Sequence, residues 1–211
     1  MLKDLGLFFD EFRKNFFSTG AIAPSSPALV RSMLGPLRKR PAHPVKVLEV
    51  GPGTGAITFS ILRHLRPGDV LDIYELNQRF FKHLHQRLPS HCAKRPGVEV
   101  GLYHRDIRHL QGRIKYDYII SGLPFANFDA ECVREIIDLY LDHLAPKGVI
   151  SYFEYLLPHR LRMMLLKPHR REQMRRLLHQ LETYTRRHQT HCDYAWINLP
   201  PARTRHLQHQ K

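Results

Sequence analysis

From residue 45 onward the chain alternates short apolar runs with longer amphipathic stretches, and this alternation limits the fold more than any other feature. VKVLEV (45–50), VLDIYEL (70–76), VEVGLY (98–103), YDYIIS (116–121) and VISYFEY (149–155) are rich in β-branched and aromatic residues and read as strands. Between them TGAITFSILRHL (54–65), NQRFFKHLHQRL (77–88) and CVREIIDLYLDHLAPKG (132–148) carry apolar residues at helical spacing, the last running into a Pro/Gly stop. Strands separated by helices predict a parallel sheet covered on both faces. Residues 185–207 predict two antiparallel strands around Pro200-Pro201. The expected architecture is α/β, a mostly parallel seven-stranded sheet with helices on both faces and an antiparallel C-terminal strand pair.

Ahead of this block, residues 1–40 form a separate N-terminal part and residues 41–211 the main domain. Leu5, Phe8, Phe9, Phe12 and Phe16 share one face of an amphipathic helix over 1–17. Asp4, Asp10 and Glu11 interrupt that stretch, unlike a secretory signal, and no apolar run reaches the roughly 18 residues of a membrane span. The expectation is a cytoplasmic protein, soluble or peripheral. Its 33 Lys and Arg against 19 Asp and Glu give a net charge of +14, which attracts nucleic acid, acidic membrane or phosphorylated ligands. The three cysteines, Cys92, Cys132 and Cys192, form no CxxC pair, and the 15 histidines are scattered, so no metal site is expected.

EVGPGTG (49–55) follows the first strand and opens the first helix. Glycines at 51, 53 and 55 permit a tight turn and close approach of a ligand to the backbone at the carboxyl end of a strand. The strict alternation differs from the dinucleotide GxGxxG spacing, and no Walker lysine follows. SGLPF (121–125) marks the end of the fourth strand, where proline and glycine stop a ladder.

The glycine loop resembles the first motif of the class I S-adenosylmethionine-dependent methyltransferases, (E/D)xGxGxG, and implies their Rossmann-like fold. The resemblance implies that Gly51, Gly53 and Gly55 cradle the methionine part of S-adenosylmethionine, with Glu49 orienting the loop. Glu75, at the end of the second strand, takes the ribose, and Asp106, after the third, takes the adenine, with Ile107 packed on the ring. S-adenosylhomocysteine is the implied product.

Across residues 15–205 the chain resembles the bacterial PmtA-type phosphatidylethanolamine N-methyltransferases, which have relatives acting on ornithine lipids. STGAIAPSSPALVRSM, EVGPGTGAIT, SGLPF and NLPPAR carry the likeness, whereas Tyr155-Leu-Leu-Pro158 departs from the family's Tyr-Gly-Pro. It implies methylation of a phosphatidylethanolamine amine towards phosphatidylcholine, at the inner face of an anionic membrane. Thr19, Ser25 and Ser26 would then cover the cofactor, or else belong to a helix-capping loop. Gly122, Leu123, Pro124 and Phe125 would wall the acceptor, and Asn198 and Arg203 would bind the lipid phosphate or, alternatively, close a strand-end salt bridge. Tyr155 and His159 are the candidates for relaying the proton an ammonium must lose before attack.

Ribosomal-RNA adenine dimethylases share the glycine loop, but they and other adenine N6-methyltransferases place Asn or Asp where this chain has Gly122. That reading is the alternative, followed by an ornithine-lipid N-methyltransferase and a non-catalytic cofactor-binding adaptor. Residues 156–178 mix Leu156, Leu157, Leu161, Met163 and Met164 with Arg160, Arg162, Lys167 and Arg170, a composition that favours an anionic membrane surface.

Overall fold

The computed structural model of the chain describes residues 26–156, 168–198 and 200–210. The expected helix over 1–17, Thr19, Ser25, His159 and most of the basic stretch after Leu156 lie outside the described residues.

Seven strands form one sheet: β1 (Lys46–Val50), β2 (Val70–Tyr74), β3 (Glu99–Tyr103), β4 (Tyr116–Ser121), β5 (Leu144–Tyr155), β6 (Gln189–Ala195) and β7 (Ala202–Leu207). Their spatial order is β3-β2-β1-β4-β5-β7-β6. The first five run parallel, and β7 is antiparallel to both β5 and β6. The helices are α1 (Pro27–Met33), α2 (Gly35–Arg38), α3 (Ala56–His64), α4 (Gln78–Cys92), α5 (Ala130–Asp142) and α6 (Pro168–His188). Connections from β1 lead outward to β2 and β3, whereas β4 lies on the other side of β1. The topological switch point therefore falls between β1 and β4, where open α/β sheets bind ligands.

Strand alternation divides the core into two layers. Leu48 and Val50 of β1 face a layer with Val133, Ile137, Leu177 and Leu181 of α5 and α6. Val47 faces the other layer, with Ile57 and Ile61 of α3 and Leu84 of α4. Leu29, Met33, Leu34 and Leu37 of α1 and α2 join this second layer, so residues 26–40 pack into the same core as the sheet. Arg40 closes that packing with a buried ion pair to Asp69, its Nη2 donating to Oδ1 at 2.8 Å. Asp69 also accepts from the Val45 amide at 2.9 Å, so the carboxylate that enters the core is surrounded by donors.

Two boundaries differ from the sequence expectation. The helix expected to run through residue 148 ends at Asp142, and Leu144–Gly148 belong to β5. Tyr116 pairs with Leu144 but Tyr118 pairs with Val149, so Ala145–Gly148 form an irregularity in the strand, where a proline without an N–H costs no ladder bond. The strand expected from residue 185 begins at Gln189, because α6 continues to His188. Leu177, Leu181 and Tyr184 bury one helical face there, and Tyr184 donates to Asp138 of α5.

Candidate cofactor and acceptor site

The glycine loop turns through three left-handed residues, with φ of 69° at Gly51, 58° at Gly53 and 87° at Gly55. A Cβ on Gly51 would lie 2.7 Å from Leu123 Cδ2, and one on Gly55 2.7 Å from Leu84 and Phe59, whereas nothing stands within 4 Å at Gly53. The outer two glycines are thus required by packing, and the middle one leaves an open backbone surface.

Glu75 sits just past β2, its own amide donating to the Tyr103 carbonyl at 3.0 Å. Its Oε2 accepts from the Gly53 amide at 3.1 Å and its Oε1 from the Asn77 amide at 2.7 Å. One buried carboxylate therefore fixes both the tip of the glycine loop and the cap of α4. Glu49 does not share this task. It is 1% exposed and faces Thr58 of α3, without the amide donors that hold Glu75. Burial pushes its carboxyl up to about 8, with Thr58 opposing and the Glu75 charge reinforcing. The sequence expectation that Glu49 orients the loop is corrected: Glu75 does so.

Asp106 caps a 3-10 turn, Ile107–His109, by accepting from the Arg108 amide at 2.9 Å. The Arg108 guanidinium also holds both carboxylate oxygens, the shortest contact being 2.7 Å. Burial alone would raise the Asp106 carboxyl, but the Arg108 hydrogen bonds more than offset it and hold it below the usual carboxylate range. Val50, Gly51, Tyr74, Glu75, Leu76, Arg105, Asp106, Ile107, Leu123, Phe128 and Ile136 line a cleft of about 360 Å³ that opens to solvent. Glu75 and Asp106 give it a polar edge, and Ile107, Leu123, Phe128 and Ile136 an apolar slot.

The SGLPF turn brings β4 against the glycine loop. Gly122 N donates to the Val50 carbonyl at 2.8 Å, and Ser121 Oγ accepts from Tyr140 at 3.1 Å, fixing the turn from below. Leu123 lines the cleft, whereas Pro124 starts a 3-10 turn over Phe125–Asn127. Phe125 does not face the cleft as the sequence predicted. It is buried against Tyr152, centroids 5.3 Å apart, and Phe128, the end of that turn, forms the aromatic wall instead.

Tyr155 ends β5 on the opposite face, edge-on to Phe153, and burial raises its phenol. Ser26 caps α1 by accepting from the Leu29 amide at 3.2 Å, and its own amide donates to Asn198 Oδ1 at 3.2 Å. Asn198 Nδ2 donates to the Pro200 carbonyl at 2.7 Å. Arg203 donates to Glu154 at 2.7 Å, and Arg205 donates to the same carboxylate at 3.0 Å. The strand-end salt bridge is thus the arrangement found, and the Asn198 amide is committed to a tether between the chain's two ends.

No family model matches the chain. It is 31% identical over 157 residues to an ornithine lipid N-methyltransferase of Singulisphaera acidiphila, covering 71% of this chain and 77% of that protein. The chain belongs to the ornithine lipid N-methyltransferase family. It is a class I S-adenosylmethionine-dependent methyltransferase. A second relative, the mitochondrial dimethyladenosine transferase 1 of Drosophila pseudoobscura pseudoobscura, is 35% identical over 108 residues, covering 48% of this chain but 30% of that one. In fold, this methyltransferase is similar to the O-methyltransferase TomG of Streptomyces achromogenes in complex with SAM, with a TM-score of 0.61, 16% identity, and coverage of 93% and 86%. A methyltransferase of Thiobacillus denitrificans in complex with S-adenosyl-L-homocysteine gives a TM-score of 0.59 at 21% identity, with coverage of 87% and 73%.

The donor set of this methyltransferase fits the cofactor. The backbone at Gly53 is open, a buried carboxylate stands at the end of β2, and an apolar slot lined by Ile107, Leu123, Phe128 and Ile136 lies beside it. Gly51, Gly53, Gly55 and Glu75 would hold the methionine and ribose, and Ile107 and Leu76 the adenine.

Proposed function

We propose that this methyltransferase methylates the amine headgroup of a membrane aminolipid, with an ornithine lipid as its first substrate and phosphatidylethanolamine, towards phosphatidylcholine, as its second. The identity to an ornithine lipid N-methyltransferase over most of both chains carries the reading. Two features of the site support it. Gly122 offers no polar side chain to anchor a nucleobase, and the Gly51 backbone leaves no room for one. Asn198 and Arg203, the expected phosphate ligands, are engaged within the protein, and an ornithine lipid carries no phosphate.

Bound S-adenosylmethionine supplies an electrophilic methyl group and leaves as S-adenosylhomocysteine. The acceptor amine must reach the cleft without its proton. Tyr155, expected to relay that proton, instead packs on the other face of the sheet from the cleft, and burial raises its phenol, so it is not the base. The Leu123 and Phe128 side chains give the cleft an apolar wall. The net charge of +14 favours work at an anionic, cytoplasmic membrane face, and none of the described helices is long and apolar enough to cross a membrane.

The test is transfer of labelled methyl groups to vesicles containing ornithine lipid, to vesicles containing phosphatidylethanolamine, and to protein-free ribosomal RNA. Label in ornithine lipid is expected first. Label in RNA alone would overturn the reading.

A further inference from the structure

The hairpin between β6 and β7 exposes more apolar surface than its surroundings explain. Ile197 is 88% exposed, Trp196 67% and Tyr194 52%, the three highest values among large apolar side chains of the described residues. The Tyr194 and Trp196 rings stack on each other, centroids 5.3 Å apart and 6° from parallel.

The hairpin stands at the ligand-binding edge of the sheet. Ser121, at the end of β4, pairs with Tyr152, and β5 continues three residues further to Tyr155, about 10 Å. Tyr155 pairs with Ala202, which pairs in turn with Ala195, so Trp196 and Ile197 project beyond the strand ends that carry Gly51 and Gly122. The tip is well held. Leu156 N donates to the Pro201 carbonyl at 2.7 Å, Asn198 N to the Ala195 carbonyl at 3.2 Å, and the Asn198 side chain ties Ser26 to Pro200. Ile197 thus lies exposed between the anchored positions Ala195 and Asn198. Tyr194 lies opposite Arg203, and Arg203 and Arg205 share the single carboxylate of Glu154, which leaves the Tyr194 face of the hairpin with one positive charge in excess, Asp193 lying on the other face.

We propose that the β6–β7 tip, led by Trp196 and Ile197, inserts into the headgroup region of an anionic bilayer and holds the mouth of the cleft against the membrane. Indole and phenol rings favour the membrane–water interface, an aliphatic side chain beside them gains by burial among acyl chains, and the flanking positive charge complements acidic lipids. A nucleic acid suits the tip less well: each ring already covers one face of the other, and Ile197 offers a base no hydrogen bond. The inference rests on the aminolipid reading for the identity of the surface.

Trp196 is the chain's single tryptophan, so intrinsic fluorescence reports on the tip directly. With vesicles of phosphatidylethanolamine and phosphatidylglycerol, the emission is expected to shift to the blue and to be quenched by lipids brominated in the acyl chain. Ile197→Ser is expected to weaken vesicle co-sedimentation roughly tenfold, the loss of one buried aliphatic side chain, with affinity for S-adenosylhomocysteine unchanged. Emission that stays unmoved overturns the proposal, whether the protein sediments with the vesicles or not. So does a shift produced by RNA, or by concentrating the protein alone. Methyl transfer to a short-chain, water-soluble aminolipid separates the two claims. Transfer with unmoved emission sinks the hairpin proposal alone. Shifted emission with no transfer to any aminolipid keeps the membrane contact and sinks the substrate reading.

Discussion

A methyl carbon added to Gly122 would lie 2.4 Å from the carbonyl oxygen of Gly51. The turn after β4 and the turn after β1 are thus in backbone contact, and the absence of a side chain at 122 is what permits it. From sequence, Gly122 reads as a missing polar anchor in an acceptor wall. In the structure it is also the buttress of the cofactor loop.

Gly122→Ala or Gly122→Asn therefore moves Gly51 before it touches any acceptor. Both variants are expected to weaken S-adenosylhomocysteine binding in titration calorimetry, Asn more than Ala. Cofactor affinity equal to the parent's, with only lipid turnover reduced, would return Gly122 to a purely acceptor-side role.

Glu75 joins the same loop from the other side. Glu75→Ala leaves the Gly53 and Asn77 amides without the carboxylate they donate to. It also removes the carboxylate that would accept from the two ribose hydroxyls; each hydrogen bond to a charged group is worth about 1.5–3 kcal/mol, so cofactor affinity is expected to fall at least about a hundredfold. Glu75→Gln, which keeps an acceptor oxygen, is expected to lie between. Calorimetry showing unchanged affinity in Glu75→Ala would remove this residue from the cofactor site.

The parallel sheet, its helices and the terminal strand pair were legible because buried strands and amphipathic helices have different periods. The glycine loop and Glu75 were legible because turn chemistry is local. What escaped was set by contacts between distant segments. Nothing near Phe125 in the sequence says that Tyr152 occupies the space behind it, so its ring turns inward and Phe128 takes its place. Asp106 was legible as an acid for the adenine after the third strand, but its ion pair with Arg108 depends on side-chain direction beside a 3-10 turn. Asn198 meets Ser26 across 172 positions, beyond any local pattern.

Glu49 gives a pH signature. Its carboxyl is raised to about 8 in the fold from an ordinary value of 4.5. The folded state therefore holds this proton more tightly than the unfolded state, and the slope of stability with pH is negative between those values. The Glu49 contribution is complete below about pH 4.5, is lost as pH rises towards 8, and changes no further above that. Glu49→Gln, neutral throughout, is expected to lack this decline. Melting temperatures measured from pH 5 to pH 9 should converge for the two proteins at the acid end and favour the variant by several degrees at the alkaline end. Parallel curves would place Glu49 in contact with a charge partner.

Asn198 separates a structural role from a lipid-binding one. Its side chain accepts from the Ser26 amide and donates to the Pro200 carbonyl, both across the base of the exposed tip. Asn198→Ala removes both bonds and leaves the Pro200 carbonyl and the Ser26 amide to water. A net loss of about 1–3 kcal/mol follows from two such bonds, visible as a lowered urea midpoint with an unchanged slope. Calorimetric affinity for S-adenosylhomocysteine is expected to stay within a few-fold, since neither contact reaches the cleft. With a phosphate-bearing aminolipid as substrate, KM is expected to respond no more than with a phosphate-free one. A KM that rises only for the phosphate-bearing lipid, at full stability, would instead make Asn198 a headgroup ligand.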